Sequence, residues 1–429
     1  MPAVALQSLW SATAPPGPQC PVLNGEVRAQ VAVVGAGYTG LSAALHLSAG
    51  GRDVAVLETR AVGECASGLN GGQVIPGVKH DPDVLERLLG AAQGARLIDT
   101  VASGPDLVFD LIARHGISCD AVRTGWIQPA TGQAALDEQA QRVEQWRRRG
   151  AAVEILDRAQ VARLTGSQRY CGGLMDHRGG TVQPLAYVRG LAHAAVRAGV
   201  RLYERSPAVA LRRSGPDFEV ATPGGTVRAP LVIVGTNAYT TALTDRLRRS
   251  VVRVPSFQVA TQPIPRELRA AILPGGQAAS DTWRLLRYFR VDASQRLVMG
   301  TRGTFASAPT THTVRHHYRA VREIYPQLSG LGFDYHWGGF VAMTGDHLPH
   351  LHELAPGLLA GLGYNGRGVA MATVMGRLLA RWAQGEAASE LGFPVTPLRP
   401  IPMHACNGIG VRATIQYLRL ADALARRRA

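Results

Sequence analysis

Residues 31–40 read Val-Ala-Val-Val-Gly-Ala-Gly-Tyr-Thr-Gly, and they decide the fold of this 429-residue chain. The apolar run predicts a buried strand, and Gly35, Gly37 and Gly40 follow it with the spacing G-x-G-x-x-G, after which a helical pattern begins. In such a unit the first glycine permits a tight turn, the second admits a pyrophosphate to the backbone, and the third lets the helix pack closely on the sheet. The helix N-terminus offers N–H groups to the phosphates. The stretch therefore predicts a dinucleotide site.

Glu58, at the end of a second apolar strand over residues 54–57, indicates which dinucleotide binds. An acid in this place accepts hydrogen bonds from ribose hydroxyls, and it would repel the 2′-phosphate of NADP, so that FAD and NAD remain. A second loop of small residues, 66–73, begins eight residues later (66 − 58 = 8), where a simple NAD domain would continue with a helix and a strand. Small residues suit the close approach of a long flat cofactor. This loop favours FAD.

Several blocks of the chain resemble the FAD enzymes of the D-amino-acid oxidase and sarcosine oxidase superfamily, and in particular the gamma-glutamylputrescine oxidoreductase-like branch. The blocks are Val34–Leu41, Val56–Glu58, Ala66–Gln73, Val232–Tyr239, the run Trp337-Gly338-Gly339 with Thr344, Asp346 and Pro349, and Gly361–Val369. The chain departs from the family pattern at Glu64 and Cys65, where an aromatic residue and a glycine are usual, and at Leu69, where arginine is usual.

The resemblance implies an α/β fold, with a Rossmann-like FAD-binding domain in three discontinuous pieces and an inserted α+β substrate domain with an antiparallel sheet. We expect an N-terminal extension over residues 1–27 and a C-terminal segment with a helix over 386–429. The FAD-binding domain is predicted over 28–80, 155–250 and 337–385, and the substrate domain over 81–154 and 251–336.

The resemblance also implies which residues bind FAD. They are Gly35, Gly37, Tyr38, Thr39, Gly40, Glu58, Ser67, Asn70, Gly71, Gly72, Gln73, Val209, Thr236, Asn237, Asn365, Gly366, Arg367, Gly368 and Val369. Val209 is expected to bring a backbone edge to the adenine. Gly366 to Val369 begin a helix whose N-terminus suits the anionic edge of a reduced flavin. Some relatives attach flavin through a cysteine near the Trp337 block, but residues 338–342 contain none, so we expect non-covalent FAD.

The chemistry that the resemblance implies is oxidation of a C–N bond in an amine, an amino acid or a polyamine derivative, by hydride transfer to flavin. The partners are a small amine substrate and oxygen or another electron acceptor. Aromatic side chains in the cleft favour the neutral amine, and Tyr288, Trp337 and Tyr364 are candidates for this role. His350 is a candidate cleft residue. Lys79, the only lysine in the chain, is a candidate for the oxygen-activating cation, for the partner of a substrate carboxylate, or for a solvated loop residue.

Composition limits the other classes of function. The net charge of +15 and the pI near 10.3 invite a nucleic-acid partner, but the arginines are spread along the chain, and we expect no such partner. No apolar run predicts a membrane span, and residues 1–10 lack the pattern of a signal peptide. The five scattered cysteines favour a reduced, cytoplasmic protein without a metal site. A nicotinamide-dependent dehydrogenase and a non-catalytic basic nucleic-acid-binding protein remain as alternatives.

Local patterns predict the other elements. We expect helices over 81–115, 137–149, 184–199, 314–330, 369–383 and 411–428. Strands are expected over 201–203, 208–212, 218–221, 231–234 and 358–361, and antiparallel strands within 251–305. The proline-rich residues 15–21 are interpreted as a tether that precedes the first strand.

Overall fold

The computed structural model describes residues 7–301 and 310–428. The strands are β1 Gly25–Arg28, β2 Val31–Val34, β3 Val54–Leu57, β4 Gln73–Val74, β5 Trp126–Ala130, β6 Val153–Asp157, β7 Gly172–Asp176, β8 Gly180–Thr181, β9 Arg201–Tyr203, β10 Ala210–Ser214, β11 Asp217–Ala221, β12 Gly225–Ala229, β13 Leu231–Val234, β14 Val252–Pro263, β15 Ala278–Ser280, β16 Arg287–Val291, β17 Arg296–Thr301, β18 Phe333–Met343, β19 His350–Ala355 and β20 Leu358–Leu362. The α-helices are α1 Leu9–Thr13, α2 Tyr38–Ala49, α3 Ala66–Leu69, α4 Pro82–Leu89, α5 Ala91–Ala102, α6 Gly104–His115, α7 Gln133–Arg147, α8 Arg158–Thr165, α9 Pro184–Arg197, α10 Asp245–Arg248, α11 Arg266–Arg269, α12 Thr311–Ile324, α13 Gly368–Ala383 and α14 Asn407–Arg428.

A six-stranded sheet in the order β19-β20-β13-β2-β3-β9 carries the glycine-rich turn. Its strands run parallel except for β19. Strands β2 and β3 are buried along their whole length, because both faces of the sheet are covered. Val31 and Val33 belong to the core with helices α2, α9 and α13, whereas Ala32 and Val34 belong to a second core. That second core includes the four-stranded sheet β1-β12-β11-β10.

An eight-stranded sheet in the order β18-β14-β17-β16-β15-β5-β7-β6 forms the second large layer. One face packs against α12 and α8 through residues such as Val259, Phe289, Met299 and Val321. Its pairs are antiparallel except for β15 with β5. The two large sheets confirm the predicted α/β class with a separate antiparallel sheet. The six-stranded sheet draws its strands from three separate parts of the chain, 31–57, 201–234 and 350–362.

The sheets divide the chain differently from the predicted boundaries in two places. Residues 155–176 were predicted with the FAD-binding domain, yet β6 pairs with β7, and β7 pairs with β5, in the eight-stranded sheet. The start of the last predicted FAD-binding piece, 337–343, lies in β18, which pairs with β14 in the same sheet. The sequence pattern of these short segments predicts that each forms a strand, but it does not show which strands lie beside it. The sheet to which each strand belongs could therefore not be predicted.

The predicted local elements are confirmed within a few residues. The helix predicted over 314–330 begins earlier, at Thr311, and ends at Ile324, because the chain turns at Pro326. The predicted strands within 251–305 are described as far as Thr301, and residues 302–309 lie outside the described residues. Before the proline-rich residues 15–21, Leu9 and Trp10 in α1 are buried in the main core.

Candidate functional site

A cavity of about 610 Å³ lies between the six-stranded and the eight-stranded sheet. Two walls enclose it. The glycine wall consists of residues 35–39 of the glycine-rich turn, Glu58 and the helix start 366–369. The sheet wall consists of Ser256, Gln258, Ser280 and Tyr288, on strands β14, β15 and β16.

The glycine-rich turn has the geometry that its spacing predicts. Gly35 has a φ of +100°, a conformation that favours glycine. A Cβ atom at Gly40 would lie 1.9 Å from the carbonyl oxygen of Gly35, so only glycine fits where α2 meets the turn. A Cβ at Gly37 would lie 2.9 Å from Oγ of Ser67. Gly40 therefore acts behind the cavity wall, while Gly35 and Gly37 line the cavity.

Tyr38, Thr39 and Ser67 tie the turn to its neighbours. The N–H of Tyr38 donates to Oγ of Ser67 at 3.1 Å, and the Thr39 hydroxyl lies 2.5 Å from that of Tyr364. The glycine N-cap of α2 has no side chain that could cover the helix N-terminus, which faces the cavity. Helix α13 crosses α2 closely at Gly376, where a Cβ would lie 2.4 Å from the carbonyl oxygen of Thr39. The N-termini of α2 and α13 both reach the cavity.

Glu58 lies at the end of β3 and lines the cavity. Its carboxylate accepts the N–H of Ala36 at 2.8 Å and that of Arg60 at 3.1 Å. Burial raises the pKa of this carboxyl, and the backbone donors act in the opposite direction. Each carboxylate oxygen has a further lone pair, so the group retains acceptor capacity toward the cavity. Glu58 therefore also holds the glycine-rich turn in place.

Thr236 and Asn237 follow β13 and line the cavity beside Gly35. The Asn237 side chain accepts the N–H of Gly363 at 3.0 Å, which links β13 to the loop after β20. Both residues therefore belong to the lining of the cavity, and their contact with FAD stays a prediction.

The helix start at 366–369 follows a strained loop. Asn365 has a φ of +52°, and its buried amide donates to the carbonyl of Gly363 at 2.6 Å and accepts the N–H of Thr344 at 3.0 Å. The Asn365 side chain is therefore occupied within the protein, and its part in the cavity is to shape the loop. Gly366, Gly368 and Val369 line the cavity at the N-terminus of α13.

Arg367 lines the cavity with a buried guanidinium group. It donates to the carbonyl of Pro76 and lies 5.6 Å from the ring centre of Trp126. Burial lowers the pKa of the guanidinium to about 10, so the side chain stays cationic at neutral pH. The structure thus places this charge at the cavity rather than in solvent.

Loop 66–73 lies between the two walls. Ser67, Asn70, Gly71 and Gln73 line the cavity, whereas Gly72 does not. A Cβ at Gly72 would lie 2.1 Å from the carbonyl oxygen of Val182, so this glycine is required by packing behind the loop. Gln73 donates to the carbonyl of Ala279 at 2.9 Å and accepts the Ser280 hydroxyl at 2.8 Å. These bonds join the loop to the eight-stranded sheet.

The sheet wall is a row of neighbouring residues across the four strands β14, β17, β16 and β15, with Gly300 as the member on β17. Gln258 pairs with Gly300, Gly300 with Tyr288, and Tyr288 with Ser280. Gly300 leaves room for the ring of Tyr288, because a Cβ there would lie 2.0 Å from Cζ of that ring. The hydroxyls of Tyr288 and Ser256 lie 2.9 Å apart. The row presents neutral polar groups to the cavity.

Of the residues predicted to lie in the cleft, Lys79, Tyr288 and Tyr364 line the cavity. Trp337 does not line it, because its indole packs behind loop 66–73 and donates to the carbonyl of Leu69 at 3.1 Å. His350 also lies elsewhere, between Thr396 at 2.9 Å and Asp346 at 3.1 Å, with its ring stacked on that of His352. These two placements correct the predicted cleft positions.

Val209 does not reach the cavity. Its side chain is exposed, and its N–H donates to the carbonyl of Ala221 at 2.8 Å at the edge of the four-stranded sheet. The backbone donor is thus used within the sheet, which corrects the predicted contact with adenine.

Four residues of the site and its support were not predicted from the sequence: Ser256, Gln258, Ser280 and Trp10. Ser256 and Gln258 share one face of β14, and an alternating polar pattern there was the available signal. Trp10 had no signal, because its burial depends on contacts with residues far along the chain.

Cationic side chains outnumber acids in the described lining. The cations are Lys79, Arg60, Arg248, Arg253 and Arg367, and the acids are Glu58 and Asp281. Burial raises the pKa of Asp281 to about 7, and its carboxylate accepts the N–H of Arg287 at 2.9 Å. Both acids are thus engaged with the protein backbone.

Within the described ranges, no group of three or more histidine, cysteine or acidic side chains is arranged to bind a metal ion. Across the same ranges, no helix combines the length and the apolar character that a bilayer crossing requires. In the basic cluster 147–149, Arg148 pairs with Asp83 at 3.0 Å and Arg149 with Glu86 at 2.7 Å, so part of its charge is neutralised.

Comparisons with known proteins agree with this geometry. The family model of FAD-dependent oxidoreductases named DAO matches residues 30–382. Gamma-glutamylputrescine oxidoreductase of Escherichia coli is 33% identical over 385 residues, which cover 89% of each chain. Glycine oxidase from Geobacillus kaustophilus has a similar fold, with a TM-score of 0.71, 23% identity, and coverage of 86% of this chain and 98% of that chain. Iminodiacetate oxidase from Chelativorans sp. BNC1 superposes with a TM-score of 0.69 and 22% identity, over 86% of this chain and 99% of that one.

Proposed function

Because this chain belongs to the DAO family of FAD-dependent oxidoreductases, we propose that it oxidises a C–N bond of an amine that also carries a carboxylate. The observation that carries the proposal is the charge of the described lining, in which cationic side chains exceed acids and both acids are engaged elsewhere. A free polyamine would bring its second ammonium group into this cationic surrounding without an acidic partner.

The residues of the glycine wall fit FAD. Gly35 and Gly37 leave room for a pyrophosphate beside the N-terminus of α2, and Glu58 offers acceptor capacity to the ribose hydroxyls. The N-terminus of α13 provides a positive end of a helix dipole for the flavin ring, with Arg367 as an additional charge. We propose that the cofactor is held without a covalent bond, since the segment 338–342 carries no cysteine.

When bound, the flavin supplies the chemistry of accepting a hydride from the substrate carbon. The sheet wall binds the substrate, and its neutral polar groups and the Tyr288 ring favour the neutral form of the reacting amine. Lys79 contacts the carboxylate of the substrate. Arg367 donates to Pro76 in the same segment as Lys79, so this segment and α13 form one cationic side of the cavity.

The electron acceptor is oxygen or another oxidant, and the protein acts in the cytoplasm. The five free cysteines, which form no disulfide, fit a reducing compartment.

The experiment compares matched pairs of compounds with and without a carboxylate. The FAD-loaded protein is mixed anaerobically with gamma-glutamylputrescine and with putrescine, and separately with glycine and with methylamine. We expect bleaching of the flavin by the carboxylated member of at least one pair and a slower reaction with its partner. Faster bleaching by the amine without a carboxylate in both pairs would contradict the proposed substrate class.

A further inference from the structure

We propose that Trp10 is a positioning residue that fixes the Asn70–Gly71 peptide, so that the N–H of Gly71 faces the cofactor. The inference rests on the proposed binding of FAD in the cavity, but it does not depend on which amine is oxidised. Trp10 lies in α1, before residue 30, where the match to the family model begins. The proposed role therefore belongs to a segment that the family match does not cover.

Trp10 holds the carbonyl group of Asn70. The indole is buried, with 1% of its surface exposed, and its Nε1 donates to the Asn70 carbonyl oxygen at 2.8 Å. The side chain of Gln183 donates to the carbonyl of Trp10 at 3.0 Å and so anchors α1 in turn. The indole also packs edge to face on Trp337, with ring centres 5.6 Å apart. Trp10 is therefore fixed from two directions.

The hydrogen bond from the Trp10 indole to the Asn70 carbonyl determines the direction in which the N–H of Gly71 points. In a trans peptide the C=O and N–H groups point in opposite directions. Since the Asn70 carbonyl points to Trp10, which does not line the cavity, the Gly71 N–H points the other way, and Gly71 does line the cavity. Within the described residues, no acceptor is found for this N–H. It is a donor that faces the cofactor site.

The position of Gly71 explains why this peptide needs to be held. A Cβ at Gly71 would lie 2.8 Å from Cε2 of Tyr288, so the residue has to be small. Glycine has more backbone freedom than other residues, and a peptide beside it turns over at low cost unless it is bonded. The Trp10 indole provides the bond that prevents this.

The neighbouring carbonyls of loop 66–73 are held differently. The Leu69 carbonyl accepts two donors, Nε1 of Trp337 at 3.1 Å and Nε2 of Gln258 at 2.6 Å. The Gly72 carbonyl accepts Nη1 of Arg290 at 3.3 Å. Among the described residues, the Asn70 carbonyl has one side-chain donor, so the loss of Trp10 cannot be compensated, whereas the loss of Trp337 leaves Gln258 in place.

The test compares Trp10→Phe with Trp337→Phe. Each removes one indole donor and keeps an aromatic ring in the same packed pair. We expect Trp10→Phe to weaken FAD binding by about two- to tenfold, the range of one neutral hydrogen bond. It should also shift the visible spectrum of the bound flavin and accelerate hydrogen exchange of the Gly71 amide. Trp337→Phe should change all three less.

Two outcomes overturn the proposal. One is an equal effect of both variants, which would assign the effect to lost packing. The other is a folded Trp10→Phe protein with unchanged FAD affinity, flavin spectrum and Gly71 exchange. If Trp10→Phe does not fold, hydrogen exchange of the Gly71 amide in the wild-type protein, measured with and without FAD, tests the proposal instead. FAD should slow this exchange, and unchanged exchange would overturn the inference. FAD titration needs no substrate, so a failure of the proposed amine oxidation would be seen separately.

Discussion

The two walls of the cavity are built in different ways. The glycine wall comes from short stretches, each of which brings several neighbouring residues, 35–39 and 366–369, to the cavity. The sheet wall takes two residues from β14 and one each from β15 and β16, which the register of the strands brings together. Backbone requirements such as the contact between Gly40 and Gly35 leave a spacing that can be read in the sequence. A row of side chains across strands leaves no such spacing, so the residues of the first wall could be predicted from the sequence and most residues of the second could not.

The largest effect is expected in the glycine wall, from Gly40→Ala. The added Cβ would lie 1.9 Å from a backbone oxygen, which cannot move without opening the turn. The purified variant should contain no flavin, and absorbance of the purified protein checks this. Gly330→Ala is the matched control, since nothing lies within 4 Å of its added Cβ. Normal flavin content in Gly40→Ala would contradict the conclusion that only glycine fits at position 40.

The next effect is expected from Glu58→Ala. A charge-assisted hydrogen bond contributes about 1.5–3 kcal/mol, so FAD affinity should fall by about tenfold or more. The variant also removes the acceptor of the Ala36 and Arg60 N–H groups. Titration of the apoprotein with FAD measures the change, and Glu58→Gln, which keeps the shape, should lose less. Unchanged affinity in both variants would show that Glu58 is not the acid that binds the ribose.

Lys79→Met tests the cationic side of the cavity. We expect substrate binding to weaken by about three- to tenfold, while reoxidation by oxygen keeps its rate, because the proposed contact is with the substrate carboxylate. Stopped-flow measurement of the two half-reactions separates these effects. A slower oxidative half-reaction with unchanged substrate binding would instead assign Lys79 to oxygen activation. Two unchanged half-reactions would place Lys79 outside the chemistry.

Tyr288→Phe tests whether a change in the sheet wall affects the substrate and leaves FAD binding unchanged. The variant removes the hydroxyl that lies 2.9 Å from that of Ser256 and keeps the ring that packs on Gly300. We expect KM to rise by about two- to fivefold and FAD affinity to stay unchanged, since one neutral hydrogen bond is lost from the sheet wall. Steady-state kinetics and FAD titration check both. Weaker FAD binding with unchanged KM would show that Tyr288 serves the cofactor.

No effect on cofactor attachment is expected from Cys65→Ala. Cys65 lines the cavity, but burial raises the pKa of its thiol to about 11, so the nucleophilic thiolate is scarce at neutral pH. Acid precipitation should release all the flavin from the wild type and from the variant alike. Flavin that stays with the precipitated wild type and is released from Cys65→Ala would contradict the non-covalent assignment.

The sequence predicted the parts of the fold that local chemistry determines. Apolar runs with flanking glycines predicted β2, β3 and β13, and helical periods predicted α9 and α13 within a few residues. The membership of β6 and β7 in the eight-stranded sheet was not predicted, because pairing between distant strands leaves no local pattern. The same limit applies to Val209, whose N–H is used by a neighbouring strand.

The positions of the site side chains were likewise predicted from the sequence only in part. Sixteen of the nineteen residues predicted to bind FAD line the cavity, and the three others, Gly40, Gly72 and Val209, lie behind it or away from it. Trp337 and His350 lie in stretches that suggested a cleft, but a residue near a motif in sequence need not face the same side. Trp10 could not be found from the sequence, because its partner Asn70 is 60 residues away.

The most direct test of the account is anaerobic reduction of the FAD-loaded protein by a panel of amines and amino acids, with alcohols and thiols as controls. The account predicts that at least one amine that carries a carboxylate removes the visible flavin absorbance, and that alcohols and thiols leave it unchanged. Bleaching by alcohols or thiols, with no response to any member of a broad amine panel, would contradict it.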